Sequence, residues 1–141
     1  MQIINRNSLA RSSKTSAGYD LCADLEEPEP LEPGVIALIP TGIALRLGGG
    51  DMIGKIYARS ELATLHGVTL STGVAIVDSS YEEEIFIGLV NTGGEDFILT
   101  PMMPIAQLLF ERVIHPKFEE VEGFSEYDAG KPPTQKLGRL H

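Results

Sequence analysis

Glycine and proline interrupt this chain at short intervals, and this constrains the fold more than any other feature of the sequence. The 141 residues include 15 Gly and 9 Pro, and β-prone runs such as Met52–Tyr57 and Ile105–Val113 lie between them. Turn-forming residues at this density suit many short strands better than long helices. About ten short strands with one helical turn predict an all-β fold, a distorted jelly-roll barrel or sandwich.

One short helix is expected among the strands. It should cover residues 61–66, with Ser60 as its N-cap and Gly67 just past its end. Downstream, residues 68–77 are predicted to form one strand and residues 85–90 its returning partner, with a turn between them. These segments should therefore form a β-hairpin.

Two further features organise the chain. The apolar segment 35–47 is broken by Pro40-Thr41-Gly42, which predicts either two short strands or a bulged edge strand. After residue 115 the sequence becomes polar and poorly periodic, as is typical of an extended arm. We therefore expect a domain of residues 1–115 followed by an arm of residues 116–141.

Charge and cysteine content argue against several functional classes. The net charge is −9, from 20 acidic and 11 basic residues, so no basic footprint for nucleic acid is visible. No run of about 18 or more apolar residues is present to span a membrane. The single Cys22 cannot form an internal disulfide, which favours an intracellular location, cytoplasmic or nuclear. A few basic side chains with a divalent cation can still neutralise a small phosphorylated ligand.

The sequence Ala58-Arg59-Ser60-Glu61 joins a predicted strand to the predicted helix. A helix start exposes unpaired N–H groups, and here they lie beside a cation and a hydroxyl, an arrangement that suits a phosphate. The alternative is purely structural, with Ser60 capping the helix and Arg59 paired with a surface carboxylate. This segment alone leaves both interpretations open.

A second candidate segment is Ala75-Ile76-Val77-Asp78-Ser79-Ser80-Tyr81. A carboxylate at a strand end can orient and deprotonate a water molecule, and a tyrosine ring can pack on a sugar or base. The alternative is a β-turn in which Asp78 bonds its own backbone and Tyr81 fills the rim. The sequence contains no Cys–His pair, zinc signature or G-x-S-x-G motif, so carboxylates, one Arg-Ser pair and backbone amides remain for chemistry on phosphorus.

Four segments, in chain order, resemble four of the five motifs of the trimeric dUTPase family. They are Ala17-Gly18-Tyr19-Asp20-Leu21, Arg59-Ser60-x-Leu62-Ala63, Val77-Asp78-x-x-Tyr81 and Ile105-Ala106-Gln107-Leu108-Leu109. The resemblance implies a homotrimer of jelly-roll subunits with active sites at the subunit interfaces. The implied reaction is the hydrolysis of dUTP to dUMP and pyrophosphate, with Mg²⁺ on the triphosphate.

The resemblance also implies how the base, sugar and water are held. Asp78 would be the catalytic residue and would hold the water that attacks the α-phosphorus. Tyr81 would pack under the deoxyribose and leave no room for a 2′-hydroxyl. The edge of uracil would be read by backbone groups of one strand, at the positions Thr72, Val74, Ala75 and Val77.

Phosphate and metal contacts are implied in the same way. Arg59, Ser60 and Gln107 would contact phosphate oxygens, with Glu61 beside them among the substrate-binding positions. No side chain would ligate Mg²⁺ directly, because the substrate phosphates and water would hold it. Asp20 would support the metal-bound water or the arginine from outside.

The chain departs from the usual motifs of the family at several points. Glu61 stands in place of a glycine in the second motif, and Ala75 stands in place of another in the third. Glu82 and Glu83 follow Tyr81 where the family usually has Arg-Gly. The arm lacks the usual glycine-rich closing motif. Two alternatives therefore stay open: a non-catalytic nucleotide-binding or regulatory protein on the same scaffold, and a dCTP deaminase.

Overall fold

The computed structural model of the protein describes residues 1–7 and 9–123. Ten strands and one helix follow one another in this part of the chain, which confirms the all-β prediction with one short helix. In order they are β1 (Gln2–Asn5), β2 (Tyr19–Cys22), β3 (Glu29–Leu31), β4 (Ile36–Arg46), β5 (Met52–Ala58), α1 (Ser60–His66), β6 (Val68–Leu70), β7 (Ala75–Val77), β8 (Glu84–Asn91), β9 (Phe97–Leu99) and β10 (Pro104–Arg112).

Antiparallel pairing arranges the strands in two four-stranded sheets and one small pair. The sheet orders are β1-β4-β8-β6 and β2-β10-β5-β7, and β3 pairs with β9. Most neighbours in a sheet are distant in the sequence, as where β10 lies between β2 and β5. Such pairings bring segments that are distant in the sequence to the same end of a sheet.

The core consists of aliphatic side chains that alternate along the strands. On β8, Ile85, Ile87 and Leu89 are at most 2% exposed, whereas Phe86 between them is 47% exposed. This period of two is that of a strand with one buried face. Each fully buried Leu or Ile contributes about 1.5–3 kcal/mol, so a core with few aromatic side chains is sufficient here.

Residues 36–46 form one strand with a bulge. The register of β4 against β8 shifts between Pro40 and Ala44, and Gly42 has a φ of 67°. The Thr41 hydroxyl donates to the Ile85 carbonyl at 2.7 Å, which ties the bulge to β8. Of the two predicted alternatives, the two short strands were wrong and the bulge is confirmed. The edge position was also wrong, because β4 lies between β1 and β8.

The start of α1 differs from the prediction and its end agrees with it. Arg59, and not Ser60, is the N-cap residue: its backbone is extended and its carbonyl accepts the Ala63 N–H at 3.1 Å, without a side-chain cap. The chain leaves β5 in an extended conformation through Arg59, so Ser60 is already helical. Gly67 ends the helix with a φ of 70°, a left-handed conformation that glycine adopts at little cost.

The segment 68–77 forms two strands in different sheets and not the one strand predicted. β6 pairs with β8, whereas β7 pairs with β5. The chain turns between them, where Gly73 has a φ of 75° that takes it out of the extended conformation. β7 and β8 are therefore not paired, and the predicted hairpin was wrong.

Little regular structure follows the last strand. Residues 113–123 contain no helix or strand, and Ile114 and Phe118 are 90% and 91% exposed. The rest of the predicted arm, residues 124–141, lies outside the described residues, so the boundary at residue 115 stays a prediction. None of the helices in the described ranges has the length and apolar character that a membrane crossing requires.

Candidate functional site

Asp20, Arg59 and Gln107 meet at one end of the sheet that contains β2, β10 and β5. Gln107 on β10 lies opposite Asp20 on β2 and opposite Tyr57 on β5, and Arg59 directly follows β5. Three of the four sequence motifs therefore converge within one chain. A cavity of about 280 Å³ opens here and is lined by Ser12, Asp20, Ala58, Arg59, Ser60, Glu61 and Gln107.

An ion pair fixes the cation of this cavity. Arg59 Nη1 donates to Asp20 Oδ1, and the two side chains are 28% and 16% exposed. The backbone of Asp20 is itself held, because its N–H donates to the Ala10 carbonyl at 2.8 Å. The partner of Arg59 is thus a largely buried carboxylate and not the surface acid considered above. A guanidinium anchored through one nitrogen keeps further N–H groups for an anion.

Gly18 allows β2 to approach β10 at this point. A Cβ atom at Gly18 would lie 2.6 Å from Cγ of Gln107 and 2.9 Å from the carbonyl oxygen of Leu108. A side chain does not fit there, so steric exclusion explains why the first motif has a glycine at this position. The close approach fixes Gln107 relative to Asp20.

Glu61 gives the cavity an excess of negative charge. It lies in the first turn of α1 and lines the same cavity as Arg59 and Asp20, so two carboxylates accompany one guanidinium. An acidic residue near a helix N-terminus is favourable for the helix. For an anionic ligand in the cavity, however, the same carboxylate is repulsive.

Asp78 and Tyr81 lie in a tight turn after β7. The Tyr81 N–H donates to the Asp78 carbonyl at 3.0 Å, and the Tyr81 hydroxyl donates to the Glu84 carbonyl at 2.7 Å. Burial, and then the charges of Glu83 and Glu84, raise the pKa of Tyr81, so the hydroxyl stays protonated and keeps this bond. The Asp78 side chain is exposed. The backbone therefore forms the β-turn that was considered as the structural alternative. The Asp78 carboxylate remains accessible in this turn.

The two groups of candidate residues are far apart within one chain. Gly54 of β5 lies opposite Val77 of β7. Arg59, just past the end of β5, is five residues farther along the chain than Gly54, about 16 Å at ~3.3 Å per residue. Asp78 continues β7 in the opposite direction. One copy of the chain therefore does not bring Asp78 to the cavity of Arg59.

The positions expected to read a base lie beside this turn. Thr72 and Val74 are exposed in the loop before β7, whereas Ala75 and Val77 belong to β7. β7 is the outermost strand of its sheet, and β5 pairs with one of its edges. Within the described ranges, the other edge of residues 75–77 is open to a ligand.

Two glutamates of the run after Tyr81 have structural partners. Arg46 makes two hydrogen bonds to Glu82, at 2.8 and 3.0 Å, and the Gly42 N–H donates to Glu84 Oε1 at 2.9 Å. The run therefore anchors the loop to β4. Sequence reasoning missed Arg46, which is 36 residues away from Glu82, and no local pattern signals such a pair.

Ser12 is a second residue that sequence reasoning missed. It lines the cavity with Asp20 although it comes from the polar segment before β2. An isolated bridge between Ala10 and Asp20 brings this segment to the site. The run of small polar residues around Ser12 is the one signal in the sequence, and it is equally typical of an ordinary loop.

Comparison with known sequences decides the family. The sequence model of the dUTPase family matches residues 5–135. The chain belongs to the dUTPase family. It is 35% identical over 130 residues to the deoxyuridine 5'-triphosphate nucleotidohydrolase of Burkholderia cenocepacia, and this alignment covers 92% of this chain and 88% of that protein. It is 38% identical over 121 residues to the protein of the same name in Paraburkholderia xenovorans, covering 86% and 82%.

Solved dUTPase structures share the fold of this dUTPase-family chain. A mutant dUTPase of phage 80alpha superimposes with a TM-score of 0.76 at 21% identity, covering 92% of this chain and 96% of that one. The structure of a mutant dUTPase of the S. aureus phage phi11 reveals the coordination of a structural Mg(II) ion. It superimposes with a TM-score of 0.75 at 21% identity, covering 87% of this chain and 97% of that one. At this identity the similarity shows the jelly-roll fold.

Proposed function

We propose that this chain hydrolyses dUTP to dUMP and pyrophosphate. The observation that carries the proposal is the convergence of Asp20, Arg59 and Gln107 on one cavity in a member of the dUTPase family. A guanidinium, an amide and the Ser60 hydroxyl provide donors for phosphate oxygens without a covalent nucleophile. The cavity, about 280 Å³, lies at the lower limit of the ~300–1,000 Å³ of whole-ligand pockets. It therefore fits a phosphate chain better than a complete nucleotide.

The turn after β7 is proposed to supply the water-activating base and the sugar filter. The exposed Asp78 carboxylate would orient and deprotonate the water that attacks the α-phosphorus. The Tyr81 ring, whose hydroxyl is held by the Glu84 carbonyl, would pack against the deoxyribose and exclude a 2′-hydroxyl. The open edge of residues 72–77 would accept hydrogen bonds from uracil and donate to it.

A homotrimer with sites shared between subunits is part of the proposal. It is supported by the separation of Asp78 from Arg59, because a second copy of the chain can bring the turn of one subunit to the cavity of the next. Large apolar side chains on the outer face of the first sheet and before Asp78 support it too, since surfaces of this kind mark interfaces. They are Ile36 (65% exposed), Leu38 (67%), Phe86 (47%), Val74 (44%) and Ile76 (51%).

Mg²⁺ is the proposed cofactor, held by the substrate phosphates and water. The cavity offers the carboxylate of Asp20, the hydroxyl of Ser60 and the amide oxygen of Gln107, the hard oxygen donors that suit this ion and its bound waters. Asp20 would be the outer support. The bound ion would neutralise charge on the triphosphate.

An intracellular location, cytoplasmic or nuclear, is also proposed. Cys22 is a free thiol, and burial followed by the charge of Asp20 raises its pKa, which keeps it protonated. Free thiols persist in reducing compartments.

Pyrophosphate release from dUTP, UTP, dTTP and dCTP under Mg²⁺ tests this function. We expect rapid release from dUTP and slow release from the others. Equal rates for all four substrates would contradict the proposed specificity. Ammonia released from dCTP would identify a deaminase, and tight dUTP binding with no release would identify a non-catalytic binding protein.

A further inference from the structure

Arg46, the last residue of β4, holds the loop that carries Tyr81. Its Nε donates to Oε1 of Glu82 at 2.8 Å, and its Nη2 donates to Oε2 of Glu82 at 3.0 Å. Its Nη1 donates to Oε1 of Gln2 on β1 at 3.0 Å. A two-bond guanidinium–carboxylate pair fixes orientation as well as distance, so one arginine joins β1 and β4 to this loop.

Tyr81 is held on both sides of this anchor. Its N–H bonds the Asp78 carbonyl and its hydroxyl bonds the Glu84 carbonyl. The Glu84 side chain accepts the Gly42 N–H of the β4 bulge at 2.9 Å. The loop from Asp78 to Glu84 is therefore attached to β4 at two points, and Glu82 is the attachment next to Tyr81.

We propose that Arg46, acting through Glu82, is a positioning residue that sets the Tyr81 ring and thereby the discrimination between deoxyribose and ribose. This inference rests on the proposed function of Tyr81. A filter that excludes a single hydroxyl depends on placement to within a fraction of an ångström, and a misplacement of about 1 Å costs as much as ~10²-fold in rate. Neither Arg46 nor Glu82 needs to touch the nucleotide for this effect.

Because the Arg46–Glu82 pair is exposed, an effect on the position of the loop can be distinguished from an effect on the stability of the fold. The Arg46 and Glu82 side chains are 59% and 53% exposed, and exposed ion pairs add little to global stability. The hydrogen bonds to Glu82 raise the pKa of Arg46, and those from Arg46 lower the pKa of Glu82, so both stay charged near neutral pH. Breaking the pair should therefore change the loop and leave the fold intact.

Glu83 provides a matched control for Glu82. It is the next residue in the same acidic loop, it is exposed, and it makes no ion pair within the described part of the chain. Glu82→Gln and Glu83→Gln remove the same charge from adjacent positions. Only the first replaces the carboxylate that Arg46 binds through two hydrogen bonds.

The experiment compares kcat and KM for dUTP and UTP in the wild type, Arg46→Ala, Glu82→Gln, Glu83→Gln and the charge-swapped Arg46→Glu/Glu82→Arg. We expect Arg46→Ala and Glu82→Gln to lower the dUTP-to-UTP ratio of kcat/KM by roughly tenfold, mainly through a higher kcat/KM for UTP, because a displaced Tyr81 ring leaves room for the 2′-hydroxyl. Glu83→Gln should change the ratio less than about twofold. The charge-swapped variant should have a higher dUTP-to-UTP ratio than either Arg46→Ala or Glu82→Gln.

Two results would overturn the inference: an unchanged ratio in Arg46→Ala and Glu82→Gln, or an equal loss in Glu82→Gln and Glu83→Gln. Thermal unfolding of each variant checks the fold, and Glu82→Gln carries the test if Arg46→Ala unfolds. A wild type that does not hydrolyse dUTP would refute the proposed function itself. An active wild type with unaltered discrimination in both variants would refute only the role of Arg46.

Discussion

Arg59 and Asp78 lie at opposite ends of an antiparallel strand pair, because each directly follows its own strand, β5 or β7. The pairing of Gly54 with Val77 places them on the order of 16–20 Å apart at ~3.3 Å per residue. The cation that would bind phosphate and the carboxylate that would activate water are thus separated within one subunit. An active site that uses both residues would need a second copy of the chain, so we expect activity to depend on oligomeric state.

Replacement of Asp78 should separate binding from turnover. Asp78→Asn keeps the shape of the turn, whose backbone bond from Tyr81 N–H to the Asp78 carbonyl does not involve the side chain. Loss of a general base costs about 10²–10⁴-fold in rate, so we expect kcat to fall by this amount. The Kd of a non-hydrolysable dUTP analogue, measured by calorimetry, should stay within about threefold of the wild type. Retained turnover would remove Asp78 from the mechanism.

Glu61 should weaken triphosphate binding. Its carboxylate shares the cavity with Arg59 and Asp20, so Glu61→Gln removes a repulsive charge while keeping a helix-compatible side chain. We expect the analogue to bind about two- to fivefold more tightly, with a larger gain at low ionic strength. The gain should be smaller for dUMP, which carries less charge. Glu32→Gln, an exposed position next to β3, controls for net charge, and equal effects of the two variants would contradict the account.

Gly18 should tolerate no side chain. A methyl group there would meet Gln107 Cγ at 2.6 Å and the Leu108 carbonyl oxygen at 2.9 Å, and a backbone oxygen in a strand shifts less easily than the end of a side chain. We expect Gly18→Ala to lower the free energy of unfolding by about 1–3 kcal/mol and to weaken binding of the triphosphate analogue. Gly94→Ala is the matched control, because a Cβ there meets nothing within 4 Å. Equal unfolding midpoints for the two variants would show that β2 does not depend on this close approach.

The Arg46–Glu82 pair should show itself in the pH dependence of stability. Hydrogen bonds from Arg46 lower the pKa of Glu82 in the folded state, so the native state binds fewer protons there than the unfolded state. The stabilisation is therefore present above the ordinary Glu pKa of about 4.3 and is lost as the pH falls through the lower folded value. The difference in Tm between the wild type and Glu82→Gln should be small, constant near neutral pH, and shrink below about pH 4. A difference that is unchanged at acid pH would argue against the pair.

Short-range patterns predicted most of the strands and the end of the helix. Alternation along β8 and the long apolar segment of β10 are local signals, and Gly67 is an ordinary helix stop. Local signals failed where one glycine redirected the chain. The apolar pattern continues from Val68 to Val77, but the left-handed Gly73 sends the two halves into different sheets.

The candidate site was predictable only as separate segments. Asp20, Arg59 and Gln107 were found through the resemblance of their motifs, and the pairing of β2, β10 and β5 then brought them together. The contacts of the acidic loop were not predictable. Arg46 and Glu82 meet through long-range pairing of β4 with β8. Arg46 belongs to no motif, and Glu82 differs from the usual residue at its motif position. Helix capping was misassigned because the conformation of Arg59 depends on the strand before it.

Mixing two inactive variants tests the shared site most directly. Arg59→Gln removes the cation of the cavity, and Asp78→Asn removes the base of the turn. If each site combines the cavity of one subunit with the turn of another, randomly mixed trimers recover about one quarter of the wild-type pyrophosphate release from dUTP, since two independent subunit choices must both be right. Neither variant alone should show this activity. Formation of mixed trimers can be checked with two affinity tags, and mixed trimers that stay inactive would contradict a site shared between subunits.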